Sequence, residues 1–105
     1  MRSPKKATEL SKTIAKVLAE GGFESEGEAM RDLSLTIALS QLSKYEREYE
    51  RFKRKYHLDF VEFSQRVERK TGREDFAVED DLNDWEFAWK TLSLWRERVE
   101  ILKNA

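Results

Sequence analysis

Seven residues, Leu35, Ala38, Leu42, Tyr45, Tyr49, Phe52 and Tyr56, recur at alternating steps of three and four. A stretch that keeps this rhythm for about three heptads, with no proline and no glycine inside it, specifies a long helix with a narrow apolar seam. Such a seam demands a second helix packed along it. A later stretch supplies one: Val78, Leu82, Trp85, Trp89, Leu92, Val99 and Leu102 mark an apolar stripe, with Ala88 and Trp95 beside it. The expected fold is therefore all-α, an elongated antiparallel helical hairpin of coiled-coil character with two short accessory helices.

Composition agrees with a seam rather than a thick core. Charged and hydrophobic residues each make up 39% of the 105 residues, and the mean hydropathy is −0.79. A domain this small buries little surface in any case. Yet 11% of residues are aromatic, whereas disordered chains are poor in aromatics. A hairpin reconciles the two facts, because most of its side chains stay in water.

Local signals set the boundaries. The first helix is expected from about Glu9 to Glu20, with Thr8 as its N-cap and Pro4 outside it. Leu10, Ile14, Val17 and Leu18 form its stripe, and Gly21 and Gly22 end it. Phe23 plugs the connection. Ser25 and Glu28 form a capping box that opens the long helix, about Glu26 to Tyr56. Asp59 and Glu62 form another, with Leu58 and Phe63 placed as a hydrophobic staple, so a short helix follows from Phe60 to Lys70. Thr71 and Gly72 end it, and residues 73–78 connect, anchored by Phe76. The last helix runs from about Glu79 to Lys103. Two parts follow: residues 1–25, a basic tail and short helix, and residues 26–105, the hairpin domain.

Several function classes recede. The chain has no cysteine, hence no disulfide framework and no thiolate metal site. No apolar run approaches the roughly 20 residues that span a bilayer, and no secretory h-region follows Met1; the expected compartment is the cytoplasm, with no membrane partner. The single histidine, His57, reads as a solvated hinge residue. No nucleophile motif or phosphate-cradling loop is present. No catalytic residue, cofactor or metal is expected, and the chain reads as a non-enzyme.

The net charge of −1 is unevenly spread. Arg2, Lys5, Lys6, Lys12 and Lys16 face only Glu9 at the start, and the first three are candidate nucleic-acid contacts. Residues 74–86 carry seven acidic side chains and no basic one. That stretch reads as a solvated first turn favoured by the helix dipole, as a divalent-cation site of no recognised loop spacing, or as an anionic surface that covers a basic site on a partner. Trp85 and Trp89 fall on the seam and read as packing, whereas Trp95 lies slightly off it as an exposed anchor. Phe87 and Leu94 lie further off, and that apolar surface should meet a second copy or another protein.

Two stretches resemble known proteins. Gly21-Gly22-Phe23-Glu24-Ser25-Glu26 through Glu28-Ala29-Met30-Arg31-Asp32-Leu33 resembles the helix–turn–helix half of ribbon-helix-helix antitoxins, although the strand that reads DNA in those proteins has no counterpart before the first helix. Tyr45-Glu46 through Tyr56, Phe60, Glu62-Phe63, Arg66-Val67-Glu68, Asp75-Phe76, Glu79-Asp80-Asp81-Leu82, Asp84-Trp85-Glu86 and Trp95 to Glu100 together resemble the small helical antitoxins of prokaryotic toxin–antitoxin pairs, TumA-like, whose partner is a TumE-like toxin. The resemblance implies an antitoxin that silences a small cognate toxin. Mapped onto this sequence, its acidic–tryptophan segment falls on Asp80, Asp81, Asp84, Trp85 and Glu86. With Trp95 these are the expected partner-binding residues, and a homo-oligomer is expected as well. The alternatives are a DNA-binding transcriptional regulator and a structural coiled-coil oligomerisation subunit.

Overall fold

The computed structural model describes residues 4–69 and 75–105, with only the backbone for residues 4–6. Four helices follow one another: α1 Pro4–Glu20, α2 Glu26–Tyr56, α3 Phe60–Arg69 and α4 Phe76–Lys103. There is no strand among the described residues, so the fold class is all-α. The chain divides into two compact units, Met1–Thr36 and Ile37–Ala105, with the division inside α2 rather than before it.

Unit 1 holds α1 and the first turns of α2. Helix α1 begins at Pro4, not near Glu9, so Thr8 is an interior residue and not the N-cap. The physical reason is that proline suits a first helical position: its fixed φ is pre-set and its missing N–H has no intrahelical partner to lose. The helix ends in a Schellman motif. Gly22 takes φ +94°, its N–H donates to Ala19 O at 3.1 Å, and the Phe23 N–H donates to Leu18 O at 3.0 Å. Helix α2 then opens on the expected Ser25 cap, whose hydroxyl accepts from the Glu28 N–H at 3.1 Å. The return bond falls one residue early, as the Glu28 carboxylate accepts from Glu24 N–H at 2.9 Å.

Unit 2 is a hairpin of α2 and α4 closed on one side by α3. The two long helices run antiparallel: Tyr56 meets Asp81, Tyr49 meets Trp85 and Tyr45 meets Phe87, so partners ascend along α4 as they descend along α2. The seam residues of α2 turn inward as the 3–4 rhythm requires, with Ala38 and Phe52 each only 1% exposed. Trp85, fully buried, stands at the centre. Five rings surround it, Tyr49, Phe52, Tyr56, Phe60 and Phe63, with centroids 5.2–5.9 Å away, inside the range of favourable aromatic pairing. Farther along α4, Ala88, Leu92 and Val99 continue the buried line.

Helix α3 starts where expected because two devices agree. His57 ends α2 in the left-handed region at φ 56°, with its N–H on Lys53 O at 2.8 Å. Leu58 and Phe63 then pack into the same aromatic cluster. The free N–H of Phe60, at the first turn of α3, finds the Tyr49 hydroxyl at 3.4 Å. The Asp59 carboxylate lies 3.5 Å from Lys53 Nζ. The expected end of α3 at Lys70, Thr71 and Gly72 lies outside the described residues.

Helix α4 starts at Phe76, three residues before the expected Glu79. Asp75 is its N-cap, accepting from the N–H groups of Ala77 at 3.1 Å and Val78 at 3.3 Å. Phe76 is thus the first helical residue and 70% exposed, not an anchor buried in a connection.

Trp85→Ala should lower unfolding free energy by about 3–5 kcal/mol, the usual cost of emptying an aromatic site. The indole Nε1 is buried without a hydrogen-bond partner, which is costly, so Trp85→Phe should lose less than half as much; urea denaturation of the two variants checks both values. At the left-handed position after α2, His57→Gly should lose no stability and His57→Val should lose about 1–2 kcal/mol, read from the same denaturation curves.

Candidate functional site: the acidic start of helix α4

Helix α4 carries Glu79, Asp80, Asp81, Asp84 and Glu86 on its first three turns, near the end where unsatisfied backbone N–H groups favour negative charge. Their fates differ. Asp81 turns inward, and its Oδ2 accepts from Lys55 Nζ at 2.5 Å and from the Tyr56 hydroxyl. The Lys55 bond, with the Tyr56 bond second, holds its carboxyl below the ordinary value of 3.8. Tyr56 is pushed up from 10.0 to about 12, first by burial and then by the bond to Asp81. Asp81 is therefore a tie between α2 and α4 rather than a free surface charge.

Asp80 and Asp84 remain exposed, as does Glu79. Glu86 is half-buried and pairs along the helix with Lys90 at 3.0 Å. Trp85 cannot meet a partner while the protein is folded, since it is fully buried. Its expected place at an interface gives way to its place in the core.

The other two tryptophans are both partly covered, where one was expected to pack and the other to stand exposed. Trp95 is half-buried, one of its faces covered by the Arg98 guanidinium at 4.7 Å. Trp89 is 38% exposed, resting on Phe60 at 4.9 Å. Trp89 packs toward α3 through Phe60, and Trp95 falls on the helical line of the buried Ala88, Leu92 and Val99.

Phe76 was expected in a connection and lies instead in the first turn of α4. It stands on the solvent side of the first turn, with Glu79 and Asp80 exposed three and four residues on. The signal was Asp75, an N-cap residue type immediately before an apolar one. Close by, a groove of about 480 Å³ opens between α3 and the start of α4, with Tyr56, Phe63, Val67 and Val78 as apolar walls and Arg66, Asp75 and Glu79 at its margin. Among the described residues no three His, Asp or Glu side chains are grouped to hold a metal ion. Arg2 lies outside the described residues, and Lys5 and Lys6 lie on α1 with side chains that are not described. No helix among the described residues is long and apolar enough to cross a membrane.

Compared with known protein families, curated proteins and solved structures, the chain matches none.

The Tyr56–Asp81–Lys55 group predicts how stability depends on pH. Asp81 has a depressed folded pKa, so its contribution is present above about pH 4 and is lost as pH falls through the lower, folded value. Tyr56 has a raised one, so its contribution is present below pH 10 and is lost as pH rises from 10 toward about 12. Asp81→Asn should flatten the acid limb of a stability–pH profile. At neutral pH, Tyr56→Phe should cost about 1 kcal/mol, and a double-mutant cycle of Lys55→Met with Asp81→Asn should return a coupling of about 0.5–1 kcal/mol, kept small because the Lys55 side chain is 59% exposed.

Proposed function

We propose that this protein acts by binding another macromolecule, as an antitoxin-like protein that neutralises a small cognate toxin by covering its active site. The observation that carries the binding role is unmet apolar surface. Among the described residues, Val17, Met30, Leu33, Phe76, Phe87 and Ile101 are each more than half exposed in a chain of only 105 residues. Large apolar side chains left in water on each unit of so small a protein favour a binding role. The acidic start of α4 supplies its polarity. Phe76 is an apolar anchor flanked by the exposed carboxylates of Glu79, Asp80 and Asp84, an arrangement suited to a basic partner. The carboxylates speed the encounter and fix its register, while the ring supplies buried area. The toxin, and the neutralising role itself, come from the resemblance to TumA-like antitoxins.

Co-purification of the tagged chain with the product of the neighbouring gene tests this reading. A small basic partner, toxic when expressed alone and recovered in fixed ratio, is the expected result. Changing Phe76, Asp80 and Asp84 together to alanine should weaken that complex by at least about tenfold and reduce its sensitivity to salt. Circular dichroism should be unchanged, because none of the three is buried. Recovery of the chain without any such partner would overturn the antitoxin role, and an unweakened triple variant would move the interface elsewhere.

A further inference from the structure

Helix α4 has a second apolar line. Its core-facing line runs through Trp85, Ala88, Leu92 and Val99. About 130° around the helix, Phe87, Leu94 and Ile101 stand at successive heptad positions, 61%, 43% and 62% exposed. Only Phe87 has a ring neighbour, Tyr45 on α2 at 6.0 Å. Helix α3 packs on the other flank of the hairpin, through Phe60 and Trp89, and leaves this line open. Three large residues at seven-residue spacing make a stripe about 21 Å long. A strip so narrow and straight fits a helix laid along it.

We infer that the occupant is a second copy of this chain, with the two α4 helices antiparallel about a two-fold axis at Leu94. The spacing is self-complementary about that residue. Leu94 meets Leu94 of the second copy, and Phe87 meets Ile101 at both ends, because each lies seven residues from the axis. The flanking charges agree. Lys90 and Glu97 lie on the same flank of the stripe, four residues before Leu94 and three after it. The two-fold axis brings Lys90 of each copy level with Glu97 of the other, to within one residue, so both ion pairs form. Lys90 is 67% exposed beside Glu86, and this i,i+4 pair is weak enough to exchange.

Direction follows from the same charges. A parallel pair would set the acidic first turns, with Glu79, Asp80 and Asp84, side by side. The antiparallel pair carries them to opposite ends, where like charges no longer oppose association. The acidic surface also stays open in the dimer, so the inference does not depend on the antitoxin reading.

Sedimentation equilibrium on the full chain, from micromolar to millimolar concentration, tests the dimer. A reversible monomer–dimer equilibrium is expected. Leu94→Glu should weaken it by at least about a hundredfold, because two like charges would be buried at the axis. Lys90→Glu should weaken it by about tenfold, and Lys90→Glu combined with Glu97→Lys should restore it. Circular dichroism checks that the helices persist in each variant. A chain monomeric at millimolar concentration would overturn the inference. So would a dimer indifferent to Leu94→Glu, and a charge reversal that fails to restore association would overturn the antiparallel register.

Discussion

The burial of one indole organises unit 2. Trp85 projects from α4 into a space that no single neighbouring helix could fill. Three rings reach it from α2 and two from α3. Each pair adds about 0.5–1.5 kcal/mol beyond its buried area, and besides the direct pair of Tyr56 and Phe63 at 4.2 Å, these rings share the tryptophan as their common neighbour. The requirement also explains α3. A helix of 10 residues is too short to be stable alone, and it holds because Phe60 and Phe63 complete the cluster. Rings of this size keep helix axes apart, and in unit 2 the close backbone approach is between α3 and α4.

The polar tie at the end of this cluster depends on the same packing. Tyr56 stacks on Trp85 and on Phe63, and that orientation aims its hydroxyl at Asp81. Lys55, the next residue back along α2, reaches the same carboxylate oxygen from outside. One carboxylate thus closes the hairpin where α2 ends. Basic side chains also cover the outer faces of the α2 rings, with Lys44 over Tyr45 at 5.3 Å and Arg51 over Phe52 at 4.5 Å. Part of the high charge content therefore shields aromatic surface that a two-helix seam leaves half open.

The α2 seam was legible in the sequence because its signal is geometric. A 3–4 rhythm states which side of a helix faces a partner, and every residue from Ala38 to Tyr56 on that line is buried or half-buried. The bounds of α2 were legible too, since Ser25 and the turn after Tyr56 are local devices. The start of α4 was not: Asp75 and Phe76 suit a loop as well as a cap and a first turn, and only the cap bonds decide. The covering of Trp95 was less plain for another reason. The strict 3–4 line of α4, Val78, Asp81, Trp85, Ala88, Leu92, Trp95, Val99 and Leu102, holds Trp95 and not Trp89, but an aspartate and an alanine interrupt its run of large apolar residues. Asp81 sits on that same line while Glu79 and Asp80 do not, but its partners lie 25 and 26 residues away, and no local signal names them.

That separation bears on how the acidic end can work. With Asp81 compensated by Lys55, the charge available to a partner near Phe76 comes from Glu79, Asp80 and Asp84, all in water. Exposed charges act mainly on encounter, since salt screens them within about 10 Å at ordinary ionic strength. Residence in a complex depends instead on buried area, which here means Phe76 and its apolar surroundings. The proposed binding role thus assigns the two properties to different side chains on the first turns of one helix, and salt should act on the association rate while leaving dissociation nearly unchanged. The Phe87–Leu94–Ile101 stripe begins eleven residues beyond Phe76 on the same side of α4. A second copy there and a basic partner at the acidic turn occupy successive stretches of one helix, and neither has to displace the other.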